Sequence, residues 1–491
     1  MTFAKTLGEL KQSGYKPRSI KQELRENLMR KIANKETVFE GILGFEDSVI
    51  PDLQRAILSR HNILMLGLRG QAKTRIARLL GSLLDEYMPI VAGSEINDDP
   101  MQPLSRFAID QIAALGDQTP VEWVHRNDRY TEKLATPDVT VADLIGDSDP
   151  IKAANLKLSY ADERVIHFGL IPRSHRSIFV INELPDLQPR IQVALFNILQ
   201  EGDIQIRGFK LRLPLDIQFV FTANPEDYTN RGSIVTPLKD RIESQILTHY
   251  PKTLEVSKNI TKQEAKILPE QASMVSVPGI LADLVEQVAF EARKSEYVDA
   301  KSGVSARLTI SAYENLVSAA ELRAILIKEK KTTARVSDLF SASTAITGKI
   351  ELVYEGEQEG AGLVAKILIK QAIKTDFIKY FPSPDNPQRK NKDKSAYRAI
   401  INWFEQGNTL DLLNNESDKV YAEKLMQVTG LQELVMKHLP NLTEKSEQLT
   451  MMEFALHGLA EHSLISKNQL ETQTNFKDMM SSMLNNIDFE S

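Results

Sequence analysis

The sequence contains no cysteine among its 491 residues. A disulfide framework, a thiol nucleophile and a cysteine-ligated zinc or iron–sulfur site are therefore excluded. No stretch approaches 18 uninterrupted apolar residues, so no membrane span is expected. The charged N-terminal segment also lacks the apolar core of a secretory signal. We therefore expect a cytoplasmic location.

An excess of basic charge is missing as well. The formal net charge is −6, and residues 1–250 and 251–491 carry −2 and −4 respectively. A nucleic-acid-binding arm would show as a local excess of Lys and Arg. No nucleic-acid partner is therefore expected, and proteins are the more natural partners.

What the sequence does contain is a series of short apolar runs that alternate with helical patterns up to about residue 250. The runs cover residues 62–66, 177–181 and 217–223. Strands that are apolar on both faces and separated by helices indicate a parallel α/β sheet. Residues 203–213 alternate apolar and polar positions around Gly208 instead, which predicts an antiparallel hairpin.

The remaining sequence suggests further domains, since 491 residues predict two to four. Helical periodicity dominates after residue 251, and two Gly/Glu- or Pro/Lys-rich stretches interrupt it at 354–362 and 382–394. The predicted organisation is a helical leader over 1–40, an α/β domain over 41–250, a helical domain over 251–350, a linker over 351–394 and a helical extension over 395–491.

The first motif with chemical content follows the strand predicted at 62–66. It reads G-x-x-x-x-A-K-T from Gly67 to Thr74 and precedes an amphipathic helix. In such a loop, backbone N–H groups and the helix N-terminus bind phosphate oxygens. Lys73 would neutralise the phosphates of ATP, and the Thr74 hydroxyl would ligate Mg²⁺. The predicted nucleotide-binding residues are Gly67, Leu68, Arg69, Gly70, Gln71, Ala72, Lys73, Thr74 and Arg75.

One position departs from this pattern, because Ala72 stands where glycine is usual. Alanine disfavours positive φ. Since the position adjoins the start of the helix, we expect that it does not need a positive φ.

A second motif lies at the end of the strand predicted at 177–181, where Asn182 and Glu183 follow. A nucleotide hydrolase commonly has Asp-Glu here, with Asp near Mg²⁺ and Glu polarising the attacking water. Asn182 can bond a metal-bound water but brings no negative charge. Either metal affinity is weakened or another carboxylate takes over. Asp186 is the nearest candidate in sequence, although it is more naturally the cap of the helix that follows.

Together these segments resemble an AAA+ ATPase, and in particular the branch of MoxR proteins and the magnesium chelatase I subunit. Residues 217–225 resemble the sensor 1 strand, which ends in Asn224, and residues 203–213 stand where this branch has a hairpin before sensor 1. Residues 236–242 resemble the segment that carries an arginine finger, here Arg241. Residues 303–308 resemble the sensor 2 region, with Arg307.

The resemblance implies an α/β P-loop sheet with a helical lid and a ring, most often a hexamer, with ATP bound between subunits. It assigns Glu183, Asn224, Arg241 and Arg307 to catalysis and implies a von Willebrand A domain protein or another protein client as partner. The alternative for Arg241 is a surface arginine in a helix-end salt bridge. Arg307 has a similar alternative, since arginine is a good helix former.

The resemblance implies that ATP hydrolysis remodels or activates a protein client, with metal-centre or complex assembly as the broad purpose. Three other functions are alternatives to this one. The chain could be the ATPase subunit of a magnesium chelatase, or a nucleotide-binding scaffold whose turnover is weak because of Asn182. A transcription activator of the enhancer-dependent branch would carry a GAFTGA-type loop and a helix-turn-helix motif, and the sequence shows neither.

Overall fold

The computed structural model describes residues 3–159, 162–201, 203–206, 212–225, 233–384, 396–469 and 473–479. The chain divides into two compact units, Met1–His249 and Tyr250–Ser491. The loop between the two strands of the predicted hairpin, residues 207–211, lies outside the described residues.

The first unit is built around a five-stranded sheet whose pairings are all parallel. Its strands, in spatial order, are β11 (Ser244–Leu247), β1 (Ile63–Leu66), β10 (Ile217–Ala223), β7 (Ser177–Asn182) and β4 (Tyr130–Leu134). The three predicted strands are the three central ones of this sheet. The fold class predicted from the sequence, a parallel α/β sheet of the P-loop type followed by a helical region, is confirmed.

Among the residues described for this unit, three short antiparallel pairs accompany the sheet. They are β2 (Tyr87–Val91) with β3 (Val121–His125), β5 (Gly146–Ser148) with β6 (Ile166–Phe168), and β8 (Asp203–Gln205) with β9 (Arg212–Pro214). The last pair confirms the antiparallel pairing predicted within 203–213.

Ten helices of the first unit lie within the described residues. They are α1 (Leu7–Gln12), α2 (Ile20–Ala33), α3 (Val49–Leu58), α4 (Lys73–Leu79), α5 (Arg106–Leu115), α6 (Val141–Leu144), α7 (Pro150–Leu156), α8 (Leu170–Arg173), α9 (Pro189–Glu201) and α10 (Thr236–Asp240).

The sheet separates two hydrophobic cores, because successive side chains of a strand point to opposite faces. Ile63 and Met65 of β1 pack with α2, α3 and α4 on one face, whereas Leu64 belongs to the core that contains α9 and α10 on the other. The helical leader contributes to the first of these cores, since Ile20 and Leu24 of α2 are buried there. A buried ion pair, Glu23 to Arg129 at 2.7 Å, further ties α2 to this unit.

The second unit is mostly helical. Its helices are α11 (Leu254–Glu264), α12 (Pro269–Met274), α13 (Gly279–Ala292), α14 (Arg307–Ile327), α15 (Val336–Ser341), α16 (Ser343–Thr347), α17 (Tyr354–Glu359), α18 (Ala361–Tyr380), α19 (Arg398–Glu405), α20 (Asp418–Met426), α21 (Leu431–His438) and α22 (Lys445–Glu461). Its strands are β12 (Val275–Ser276), β13 (Thr332–Thr333), β14 (Leu410–Leu413), β15 (Ser466–Gln469) and β16 (Gln473–Lys477).

The predicted linker over 351–394 is wrong for residues 351–384. This stretch contains α17 and the 20-residue helix α18. Val364, Leu368 and Phe377 of α18 are buried in the main core of the second unit. The Gly/Glu-rich segment just before α18 suggested a linker, yet the apolar residues beyond it follow a helical spacing. Residues 385–394 of the predicted linker lie outside the described residues.

The separation of a helical domain over 251–350 from an extension over 395–491 is also wrong. One continuous core runs from Val275 to Phe476 and joins α13, α14, α18 and α22. The extension is not wholly helical either, because β14, β16 and β15 form an antiparallel sheet. Alternating residues of β14 bury Leu410 and Leu412 in the same core.

No helix in the described part of the chain combines the length and the apolar character that a membrane span requires.

A glycine sets the close approach of two central helices in the second unit. A Cβ at Gly458 of α22 would overlap the ring of Phe377 of α18. We expect Gly458→Ala to lower the free energy of unfolding by about 1–3 kcal/mol, because an overpacked core must shift side chains or backbone. Chemical denaturation measures this change.

Gly362 near the start of α18 is the matched control, since a Cβ there would have no neighbour within 4 Å. Gly362→Ala should leave stability unchanged or raise it, because alanine favours helix. Equal effects of the two substitutions would contradict the close packing at Gly458.

Candidate nucleotide-binding site

The loop between β1 and α4 spans Gly67–Ala72 at the carboxyl edge of the parallel sheet. Gly67 N donates a hydrogen bond of 3.2 Å to the carbonyl oxygen of Ala223, at the end of the neighbouring strand β10. A Cβ at Gly67 would overlap the Thr248 hydroxyl and the Gln71 side chain, which bond each other at 2.6 Å. A side chain at the first position of the loop would therefore displace the bonded pair of Thr248 and Gln71.

The backbone at Ala72 differs from our expectation. Ala72 has φ 57° and ψ 13°, which is the left-handed region. The loop must reverse direction immediately before the first residue of α4, and this turn imposes a conformation that glycine adopts without steric cost. The expectation that this position does not need a positive φ is wrong.

Lys73 begins α4 and is buried. Its Nζ donates to the carbonyl oxygens of Gly67 and Leu68, the second at 3.0 Å, and to Asn224 Oδ1 at 2.8 Å. The ammonium group is thus held inside the loop, next to the backbone that would surround a phosphate.

Thr74 lies next to the end of β7. Its hydroxyl donates to Asn182 Oδ1 at 3.4 Å, and the Thr222 hydroxyl donates to the same oxygen at 3.0 Å. Two hydroxyl groups therefore converge on the amide oxygen of Asn182, in the space where the sequence predicts Mg²⁺.

Glu183 follows Asn182 with a left-handed backbone, φ 55° and ψ 50°. Its N–H donates to the Thr222 hydroxyl at 3.2 Å, and Asn224 Nδ2 donates to its Oε2 at 3.0 Å. Asn224 therefore bridges Glu183 and Lys73. The predicted base, the predicted sensor 1 residue and the predicted phosphate-binding lysine form one hydrogen-bonded cluster.

A carboxylate that the sequence did not single out joins this cluster. Glu132 on β4 accepts a hydrogen bond of 2.7 Å from Asn182 Nδ2. It also accepts from Arg78 Nε at 2.9 Å and from the Tyr130 hydroxyl at 3.2 Å. Burial and the neighbouring Glu132 raise the pKa of Tyr130, so the phenol stays protonated and donates. The edge strand β4 gives no apolar run, which is why neither it nor Glu132 was predicted.

Asp186, the acidic candidate nearest in sequence to Asn182, ends a short 3-10 turn, Leu184–Asp186. Leu187 and Gln188 separate it from α9, which begins at Pro189. Asp186 is therefore not the residue that immediately precedes the helix; that residue is Gln188. The carboxylate that contacts Asn182 comes from the neighbouring strand instead.

The two predicted arginines belong to other elements of the chain. Arg241 follows the last residue of α10, pairs with Asp240, and its guanidinium lies 5.3 Å from the centre of the Phe196 ring. Among the described residues, neither partner belongs to the cluster around Lys73. Arg307 is the exposed first residue of α14 in the second unit. The salt bridge of Arg241 is the feature that the alternative interpretation predicted, and it leaves 38% of the side chain exposed.

The donor set fits a Mg²⁺–nucleotide complex. Mg²⁺ prefers hard oxygen ligands at about 2.0–2.1 Å in an octahedron, which sets neighbouring ligands about 3 Å apart. The hydroxyl of Thr74 and the amide oxygen of Asn182 are 3.4 Å apart. Of the predicted loop residues, Gly67–Ala72 form the turn, and Lys73, Thr74 and Arg75 form the first turn of α4.

No protein-family model matches this chain. The hydrogenase transcriptional regulatory protein HoxA of Cupriavidus necator is 28% identical to it over 116 residues, which is 23% of this chain and 24% of that protein. The match therefore spans about a quarter of the length of this curated relative.

Several solved structures are similar in part. The complex of the BchI and BchD subunits of magnesium chelatase is matched with 20% identity over 65% of this chain and 98% of that one, at a TM-score of 0.34. NtrX from Brucella abortus in complex with ADP is matched with 13% identity over 72% of this chain and 64% of that one, at a TM-score of 0.36. RuvB of Thermotoga maritima is matched with 13% identity over 67% of this chain and 68% of that one, at a TM-score of 0.30.

The chain's own geometry defines its class. A parallel sheet, a glycine-containing loop after β1, a lysine and threonine opening α4, and polar residues at the ends of β7 and β10 define an α/β protein of the P-loop type.

The cost of the left-handed backbone at Ala72 can be measured as a change in stability. We expect Ala72→Gly to raise the free energy of unfolding by about 1 kcal/mol. Left-handed backbone costs an L-residue about 1–2 kcal/mol, and glycine removes this cost but loses more conformational entropy on folding than alanine does. Chemical denaturation measures the change.

The control is Ala77→Gly, which makes the same exchange inside α4, where Ala77 is buried. It should lower stability by about 1 kcal/mol or more, because glycine disfavours helix. If both substitutions destabilise equally, Ala72 does not have the left-handed backbone described here.

Proposed function

We propose that this chain is an AAA+ ATPase of the MoxR and magnesium chelatase branch, which couples ATP hydrolysis in a ring to remodelling or activation of a protein client. The observation that carries the proposal is the hydrogen-bonded cluster of Lys73, Asn224 and Glu183 at the carboxyl edge of the sheet. A phosphate-binding lysine and a general base joined through one amide are the parts that phosphoryl transfer to water requires.

Each residue of the cluster has a role that its contacts support. Lys73 and the backbone of Gly67–Ala72 bind the phosphates of ATP, and the N-terminus of α4 adds favourable dipoles. Glu183 orients and polarises the attacking water, and Asn224 fixes the direction of the Glu183 carboxylate. Thr74 would ligate Mg²⁺ and Asn182 would bond a water bound to it; Mg²⁺ would neutralise charge on the transferring phosphoryl group.

The remaining parts of the proposal rest on the resemblance. Arg241 acts from one subunit on the ATP of the next, and its partly exposed side chain suits a group that acts outside its own chain. Arg307 senses the γ-phosphate. The ring is a hexamer, and its partner is a von Willebrand A domain protein or another protein client, with metal-centre or complex assembly as the broad purpose. A magnesium chelatase subunit is the related alternative.

A nucleotide-binding scaffold is the alternative from a different class. The observation that favours it is Asn182, because a neutral amide occupies the place of the metal-side acid.

Substitutions in the cluster separate an ATPase from a scaffold. We expect Lys73→Ala to weaken ATP binding by about 100-fold or more, because it removes charge-assisted hydrogen bonds worth about 1.5–3 kcal/mol each. Glu183→Gln should bind ATP normally and lower turnover by about 10²–10⁴-fold, since it removes the general base. Equilibrium binding of a fluorescent ATP analogue and phosphate release measure the two effects.

The controls are Lys16→Ala and Glu122→Gln, which alter exposed residues outside the cluster. If wild type and Glu183→Gln show the same negligible turnover in the assembled state, the scaffold reading replaces the ATPase. If wild type binds no nucleotide, both readings fail.

The action of Arg241 between subunits is tested by mixing. Arg241→Ala chains should bind ATP and lose about 10³-fold or more in turnover, as expected for an arginine supplied from a neighbour. An equal mixture of Lys73→Ala and Arg241→Ala chains should regain turnover, because some interfaces then combine an intact loop with an intact arginine.

A mixture of Lys73→Ala chains with chains that carry both substitutions is the control and should stay inactive. Unchanged turnover of Arg241→Ala alone would show that this arginine serves only its ion pair with Asp240.

A further inference from the structure

We propose that Glu132 supplies, from the neighbouring strand, the negative charge that position 182 lacks, and that it orients Asn182 toward the metal. This inference rests on the proposed function, since it concerns the Mg²⁺ side of the same site. It makes Glu132 a positioning residue that acts through Asn182 and through its own charge.

The sheet places Glu132 beside the end of β7. In the parallel pairing of β4 with β7, Glu132 lies opposite Val180 and Leu134 lies opposite Asn182. Side chains two residues apart point to the same face of a strand. Glu132 and Asn182 therefore share the face on which α4 packs. The Glu132 side chain reaches across the strand pair to the amide of Asn182, two residues beyond its direct partner Val180.

The hydrogen bonds of Asn182 show what Glu132 does there. An ionised carboxylate can only accept, so it fixes the amide N–H₂ of Asn182 toward itself at 2.7 Å. The amide oxygen is then turned to the hydroxyls of Thr74 and Thr222. Without an acceptor at position 132, the amide could turn its N–H₂ group toward the metal side, where it would repel a cation.

The negative charge at this edge of the sheet lies on Glu132 of β4, next to the neutral Asn182 of β7. An aspartate at position 182 would bring a second carboxylate within hydrogen-bond distance of Glu132, and two carboxylates that close repel each other. Asn182 avoids that repulsion. The pair Glu132–Asn182 therefore has the same total charge as an aspartate beside a neutral residue, with the charge one strand farther along the sheet.

Arg78 offers a competing explanation, because it also pairs with Glu132. This ion pair is exposed on the Arg78 side, where 64% of the side chain is accessible, against 23% for Glu132. Arg78 donates to both carboxylate oxygens of Glu132, from Nε at 2.9 Å and from Nη2 at 3.1 Å, so the pair is bidentate although the arginine is exposed. The contact with Asn182, which is buried, is the more constrained of the two. Glu132 therefore bonds Arg78 on the exposed side and the amide of Asn182 on the buried side at the same time.

The first test measures nucleotide binding rather than turnover. The affinity of a fluorescent ATP analogue is measured with and without Mg²⁺, and the ratio gives the Mg²⁺ dependence. We expect Glu132→Gln to reduce this dependence by about tenfold, because it removes the negative charge that contacts Asn182 while leaving Lys73 in place. Binding without Mg²⁺ should stay within about twofold of wild type, and Glu122→Gln should change neither quantity.

The second test exchanges the two groups. The double variant Asn182→Asp/Glu132→Gln keeps one carboxylate and one amide across the same contact, with the charge returned to β7. We expect it to fold and to recover most of the Mg²⁺ dependence that Glu132→Gln loses. Mn²⁺ binding followed by electron paramagnetic resonance should rank wild type, the exchanged variant and Glu132→Gln in that order or with the first two equal.

The third test removes the competing partner. Arg78→Ala should leave the Mg²⁺ dependence unchanged or raise it, because it frees Glu132 from an opposing charge. If Arg78→Ala and Glu132→Gln lower thermal stability equally and neither changes the Mg²⁺ dependence, Glu132 serves only the ion pair and the inference is overturned.

The outcomes also separate this inference from the proposed function. Absence of nucleotide binding in the wild type overturns the proposed function itself. Wild-type binding that depends on Mg²⁺, with the same dependence in Glu132→Gln, overturns only the role of Glu132. If Glu132→Gln does not fold, the exchanged variant decides, since retained Mg²⁺ dependence supports the inference and lost dependence contradicts it.

Discussion

The candidate site depends on the parallel pairing of β1, β10 and β7. Because parallel strands end at the same edge of a sheet, Gly67, Ala223 and Asn182 come together although the chain separates them widely. Thr222 then joins Asn182 to the backbone of Glu183 with one hydroxyl. A change of register by one residue would turn every one of these side chains to the opposite face.

The strain in the site lies at the turns that this edge requires. Ala72 and Glu183 both have left-handed backbone, one before α4 and the other after β7. Non-glycine residues persist in that region only where the surrounding structure fixes them. Here the hydrogen bonds of Lys73 on one side and of Asn224 on the other hold the two turns in place.

The second unit depends on a different constraint. Its single core is complete only when segments that are far apart in the chain pack together. Phe377 of α18 packs against Gly458 of α22, and β14 closes the core with Leu410. This dependence explains why a helical domain, a linker and an extension cannot be separated there. Composition marks a stretch as polar or glycine-rich, but burial depends on partners that are distant in sequence.

The sequence by itself determined the central strands, the glycine-containing loop before α4 and the pairing of Asn182 with Glu183 in one motif, because apolar runs and local spacing encode them directly. It also marked Asn182 as unusual. Only the tertiary structure decided that Ala72 is left-handed, that Asp186 does not immediately precede α9, and that Glu132 is the carboxylate beside Asn182. Those features depend on which strands become neighbours, and a polar edge strand such as β4 carries no local signal of its position.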